Sequence, residues 1–247
     1  GFCLVGSEMC IRDSLYINFA APQDRAKPFL SMAPDQTVHL FTGSKIGFPG
    51  PRVGFLYSEA ELEIAAGEKV PLSELALVES SSELLFHSPG ALRGFEALLH
   101  ERSGDDFVER QSIWPLAEDK LVVYRENRWI LLEVLERELG AYKDYFSWTI
   151  PGGGFFTVFT FLNSGKGNIV RTDDAMIENM VMEHGLVVIP MYDFYPKDAR
   201  QRDPGAGMNQ LRLSFCFSES AGQQRRDDMR EAVEAFCQAA KALVGTT

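Results

Sequence analysis

The apolar positions of the chain fall into two textures. In the first part, short apolar runs alternate with Gly- and Pro-rich turns. The run HLFT at 39–42 reads as a strand that feeds such a turn, and VGFLY at 53–57 reads as a second strand. Ser58-Glu-Ala-Glu61 matches a capping box, with a hydroxyl and a glutamate spaced to satisfy the first free N–H groups. It predicts a helix starting there. Ser88 and Pro89 place a cap and an N1 proline ahead of Ala91, Leu92, Phe95, Leu98 and Leu99, which predicts an amphipathic helix. Across 115–145, Leu116, Leu121, Val122, Ile130, Leu131, Val134, Leu135 and Leu139 recur at helical spacing between charges. One helix of about 25 residues is long for a small domain, so it is expected to bridge two domains.

Beyond it the spacing shortens. Residues 149–154 read as a turn, 155–162 as a strand and 164–168 as a loop. Thr172 and Asp173 cap a helix that carries Met176, Met180 and Val181 on one face and ends at Gly185. Strands follow at 186–190 and 211–217, separated by a polar loop at 195–210. Met229, Val233, Phe236, Cys237, Ala240 and Val244 then mark a closing helix. The order β-α-β-β-α predicts a small α/β domain.

Composition narrows the class. With 247 residues, 45% hydrophobic and 24% charged, the chain has material for one or two domains with a real core, and wholesale disorder is excluded. A net charge of -11 gives no electrostatic footprint for nucleic acid or an anionic membrane. No apolar run approaches the ~20 residues of a membrane span. The cysteines at 3, 10, 216 and 237 form no C-x-x-C pair, and the four histidines are isolated. A reduced, cytoplasmic, metal-free protein is the expectation. Residues 1–14, GFCLVGSEMCIRDS, resemble a sequencing-library adapter translated in one frame and are set apart from the fold. The other reading of them is a genuine strand at 2–5. Without Glu8, Arg12 and Asp13 the charge is -10, and only Cys216 and Cys237 remain.

The window at 42–54, TGSKIGFPGPRVG, carries the candidate chemistry. Its glycines allow close approach of backbone to a ligand, and its prolines stiffen the loop that spaces Lys45 from Arg52. A desolvated lysine can attack a carbonyl, and an arginine suits a phosphate dianion. One ligand bearing both groups would satisfy the pair; a solvated turn is the other reading of the same residues. In the strand at 211–217, Arg212 stands between Leu211 and Leu213 and needs a partner, either a structural acid or a ligand carboxylate. Thr42 by itself reads as a plain β-branched strand residue.

The segment SKIGFPGPRVG resembles the lysine motif of fold-type-I pyridoxal-phosphate aminotransferases of class I/II, in the form seen in valine–pyruvate aminotransferase-like enzymes. DSLY at 13–16 resembles the family's D-x-x-Y, 32 residues ahead of the lysine. PGGGF at 151–155, GLVVIPMYDFYP at 185–196 and NQLRLSF at 209–215 resemble its later motifs in the same order, with Met191 where the family has glycine. The resemblance implies pyridoxal 5'-phosphate held covalently on Lys45. It also implies Asp13 at the pyridine nitrogen, Tyr16 at the ring's phenolic oxygen, Thr42 and Arg52 at the phosphate, and Arg212 on the substrate carboxylate. Asp13 also falls within the adapter-like segment.

The implied fold is α/β. It consists of the rear part of a three-layer α/β/α large domain at 15–114, the interdomain helix at 115–145 and a complete small domain at 146–247. The implied activity is transfer of an amino group between an amino acid and a 2-oxo acid by a homodimer. A lyase or cyclase on the same fold, and an aminotransferase-like sensor in a transcription regulator, are the alternatives. The family's earlier cofactor contacts have no counterpart in this sequence. The chain is therefore expected to be the C-terminal part of a longer enzyme and to bind the cofactor weakly alone.

Overall fold

A computed structural model describes residues 31–42, 54–65, 67–83, 88–111 and 114–246. The chain divides into two compact units, the second comprising residues 120–151 and 155–247. Each is taken by itself.

In the first unit, β1 (Val38–Thr42) and β2 (Gly54–Ser58) pair antiparallel, from Val38 opposite Ser58 to Thr42 opposite Gly54. The capping box at 58–61 does not start a helix. The Ser58 hydroxyl donates to the Thr37 carbonyl at 2.8 Å and accepts from the Ala60 amide at 3.1 Å, so it closes a turn. The alternating ELEIA that follows pairs as β3 (Glu61–Ala65) with β4 (Glu68–Pro71), and Gly67, at φ +88°, lies at the head of this hairpin. Period-two spacing and a glycine turn outweigh the local cap signal. The helix comes later, as α1 (Leu72–Glu83).

Ser88 does cap α2 (Pro89–Leu98), accepting from the Ala91 amide, with proline in the first turn. A second hairpin, β5 (His100–Ser103) with β6 (Asp106–Glu109), has no counterpart in the sequence reading. Neither strand buries a face, and the apolar Phe107 and Val108 of β6 are adjacent and both exposed, so no alternation marks them.

The second unit is built on α3 (Glu118–Leu139). The helical pattern at 115–145 resolves into this 22-residue helix flanked by 3-10 turns at Trp114–Ala117 and Gly140–Tyr142. The sheet runs β7–β8–β10–β9, all antiparallel, with β7 at Phe146–Trp148, β8 at Phe156–Phe161, β9 at Ile189–Pro190 and β10 at Gln210–Ser214. Between strands lie α4 (Asp174–His184) and α5 (Lys197–Arg202), and α6 (Gly222–Val244) closes the chain. Asp173 caps α4 through the Met176 amide, and Gly185 ends it at φ +65°. The Leu186 amide is used in that cap, bonding the Met180 carbonyl at 3.0 Å, so the strand expected from 186 pairs only from Ile189.

Alternation sorts the sheet into two faces. Thr157, Phe159 and Phe161 of β8, with Leu211, Leu213 and Phe215, are buried. Phe159 meets Phe161 and Phe236 edge-on at 5.3 and 5.0 Å between centroids. The other face carries Phe156, Val158, Thr160, Gln210, Arg212 and Ser214, and none of these is fully buried.

A polar hub sits within the core. Asn127 of α3 is fully buried and donates to the Phe215 and Phe217 carbonyls at 3.0 and 2.7 Å. Its side-chain oxygen accepts from Arg225 of α6, whose guanidinium also engages Glu126. Glu126 accepts from Arg226 as well, at 3.0 Å. The hydrogen bond from Arg225 is the main reason the Glu126 carboxyl lies below its ordinary value of 4.5. A group with a lowered folded-state pKa contributes stability that is fully present above its unfolded value and is lost as pH falls through the folded one. Urea unfolding should therefore show Glu126→Gln less stable than the parent at neutral pH, with the gap narrowing as pH falls below the ordinary carboxyl value of 4.5. A gap independent of pH would remove Glu126 from the linkage.

Candidate functional site

The open face of the small sheet is where chemistry collects. Arg212, in the middle of β10, lies directly across from Val158 of β8 and Ile189 of β9. Its neighbours on both sides are therefore aliphatic. Its guanidinium carbon stands 4.2 Å from the centroid of the Phe156 ring and 4.8 Å from that of Phe194. Its Nε is buried with no hydrogen-bond partner, yet the side chain as a whole is only half-buried. Among the described residues no acid forms an ion pair with it. Asp228 borders the same apolar cleft of about 260 Å³. Its carboxylate, however, accepts from the Ser220 hydroxyl at 2.6 Å and from Gln224, and these bonds hold it below the usual carboxylate range.

Phe194 closes a single 3-10 turn, Tyr192–Phe194, after the edge strand β9. Three contacts fix that turn. The Tyr192 hydroxyl donates to Asp174 at 3.2 Å, and the Tyr195 hydroxyl donates to Gln210 at 2.9 Å. Gly207, at φ +76°, lies so close that a Cβ would come within 2.8 Å of the Tyr195 ring and 2.9 Å of the Tyr192 Cα. Glycine is required there for both conformation and space. The loop at 195–210 is thus packed against the turn and, at its far end, runs into β10.

The first unit carries candidate residues of its own. Thr42 is the last residue of β1 and pairs with Gly54, the first of β2. The ladder holds the two ends of the intervening segment at neighbouring-strand distance, about 5 Å. Lys45 and Arg52 are on that segment, outside the described residues, as are Asp13 and Tyr16. A lysine for a carbonyl and an arginine for a dianion, on a segment whose ends a ladder holds together, fit a phosphate-bearing aldehyde. Arg212, with no acid beside it, fits a carboxylate.

Phe156 and Phe194 escaped the sequence reading as functional residues. Phe194 stands within the PMYDFYP run and carried no role there. Only the register tells Phe156 from Phe155, because it alone fixes which of the pair shares a face with Arg212. Other candidates are inert. Burial pushes the Cys237 thiol up to about 12, so it stays protonated. His100 uses Nδ1 on the Glu96 carbonyl at 2.8 Å, and His184 lies in the last turn of α4. No group of metal-ligating side chains occurs among the described residues, and none of their helices is long and apolar enough to cross a membrane.

No protein-family model matches the chain. It is 28% identical over 184 residues to (S)-3,5-dihydroxyphenylglycine transaminase of Amycolatopsis orientalis, which covers 73% of this chain and 35% of that protein. Among solved structures it is similar to an α-aminoadipate aminotransferase of Thermus thermophilus, crystallised with N-(5'-phosphopyridoxyl)-L-leucine. The TM-score is 0.65 at 18% identity, covering 99% of this chain and 56% of that one. It is also similar to a multiple-substrate aminotransferase of Thermococcus profundus, with TM-score 0.62, 18% identity, and 94% and 47% covered. A kynurenine aminotransferase of Pyrococcus horikoshii gives 0.61 at 18%, with 92% and 46% covered. The chain therefore spans about a third of the curated relative and about half of the solved ones. Its fold is part of the pyridoxal-phosphate-dependent aminotransferase fold.

Proposed function

We propose that the chain is the cofactor-lysine and substrate-carboxylate part of a pyridoxal-phosphate-dependent aminotransferase acting on an amino acid and a 2-oxo acid. The observation that carries this reading is Arg212. It is a guanidinium on an open sheet face with its Nε orphaned and no acid paired to it among the described residues, in a chain of aminotransferase fold. None of the relatives favours the lyase, cyclase or sensor alternatives.

In this reading the bound cofactor supplies an electron-withdrawing ring next to the substrate's α-carbon. Lys45 would hold the cofactor covalently and, when free, would act as general base toward the α-proton. Arg52 and the Thr42 hydroxyl would hold the phosphate. Asp13 would favour a protonated pyridine nitrogen, and Tyr16 would donate to the phenolic oxygen. Arg212 receives the α-carboxylate in its fork and so fixes which bond of the α-carbon faces the ring. The proposal extends to a cytoplasmic homodimer, on fold-level analogy.

Covalent trapping tests it. The chain is mixed with excess pyridoxal phosphate, reduced with borohydride and mapped by mass spectrometry. The pyridoxyl group is expected on Lys45 ahead of every other lysine. Labelling spread evenly over the lysines would remove Lys45 from its role.

A further inference from the structure

Two arginines of the same unit, the buried Arg225 and the partly buried Arg212, are treated in opposite ways. Arg225 is met by the side-chain oxygen of Asn127, by Glu126 and by the Val123 carbonyl. It is a structural cation with its charge answered. Arg212 has none of this. Two aromatic rings stand against its guanidinium carbon, and its Nε is left bare. Buried polar atoms are ordinarily satisfied, so an orphan of this kind calls for an explanation.

We propose that Phe156 and Phe194 are positioning residues that clamp the Arg212 guanidinium in place of an acidic partner, so that its charge stays available to an incoming carboxylate. The proposal rests on the carboxylate role given to Arg212 above.

A carboxylate partner would orient the arginine, but it would neutralise it and compete with the ligand for the same N–H fork. A ring face attracts the cation through its quadrupole and leaves the N–H donors unused. Because the guanidinium is planar, rings against it restrict rotation about its last bonds, and with Nε buried the accessible donors are the terminal nitrogens. The supporting turn is consistent with this role. Phe194 is 51% exposed, so core packing does not account for its position. Its turn is pinned nonetheless by Tyr192, Tyr195 and the close approach at Gly207.

The test uses the whole chain and nuclear magnetic resonance of the arginine Nε–Hε groups. The probes are 3-phenylpropanoate and its uncharged isostere 3-phenylpropanamide. In the parent chain the acid is expected to shift the Arg212 Nε–Hε resonance and the amide is not. Phe156→Leu and Phe194→Leu keep apolar bulk but lose the ring face, and each is expected to weaken binding of the acid about fivefold. Phe194→Tyr keeps the ring face and should bind within about twofold of the parent.

An unchanged Arg225 Nε–Hε resonance shows that a variant retains the fold of this unit. Because the two leucine substitutions lie on different elements, either one suffices. Leucine variants that bind the acid as the parent does overturn the clamp and leave the carboxylate role of Arg212 standing. A parent chain that ignores the acid, or responds equally to the amide, overturns both.

Discussion

Lys45→Ala is expected to abolish the borohydride-trapped pyridoxyl group in segment 42–54, whereas Arg52→Gln should keep Lys45 as the labelled residue but raise the cofactor concentration for half-labelling about ten- to a hundredfold. The asymmetry follows from what each side chain contributes. In the proposed function only the lysine would form a bond to the cofactor, and no neighbouring residue can substitute for its nitrogen. Arg52 would contribute a charge-assisted, bidentate contact to a phosphate, worth about 1.5–3 kcal/mol. Several competing lysines are handicapped. Lys69, Lys143, Lys166 and Lys241 each lie within ion-pair distance of a carboxylate, on Glu61, Glu136, Asp144 and Glu138 respectively. For Lys166 the hydrogen bond to Asp144 holds the ammonium above its ordinary value, which lowers the fraction of reactive amine. Pyridoxal without its phosphate should label Lys45 and the surface lysines with little preference. If Lys45→Ala were labelled as heavily as the parent, the lysine motif would be a solvated turn after all.

Much of the second unit was legible because its signals are local and mutually consistent. Asp173 and Gly185 bracket α4 as a cap and a left-handed stop. The closing helix shows its buried stripe from Met229 to Val244. Legibility failed where a local signal met a non-local one. Ser58 has the chemistry of a helix cap, but its hydroxyl is engaged by the carbonyl of Thr37, 21 residues away, and the following residues pair across Gly67. The β5–β6 hairpin has no buried face, so it offered no period to read.

The candidate site divides along the same line. A lone charge in an apolar strand marked Arg212, and a motif marked Lys45 and Arg52. The rings on Arg212 belong to a strand register and to a turn held by Gly207. Both are properties of the folded unit and leave no spacing in the chain.

The hub around Asn127 should respond unequally to loss of its two partners. Asn127→Leu, alike in branching and heavy-atom count, is expected to cost about 3–5 kcal/mol in urea unfolding, and Arg225→Met about 1–3. Asparagine serves three groups at once. It donates to the Phe215 and Phe217 carbonyls, where β10 ends, and it accepts from a guanidinium whose side chain is 5% exposed. Without it two carbonyls lose a donor, and among the described residues a buried cation keeps only Glu126 and a 3.5 Å contact to Val123.

Removing the arginine instead takes the charge away with it. Glu126 retains Arg226 at 3.0 Å, and the orphan left behind is one amide oxygen. The double variant should therefore be less unstable than the two single costs combined, because the leucine no longer faces an unanswered guanidinium. The mechanism is specific to an uncompensated charge. Strict additivity in the double-mutant cycle would mean that Asn127 acts only on the strand end, and that Arg225 is held well enough by Glu126 alone.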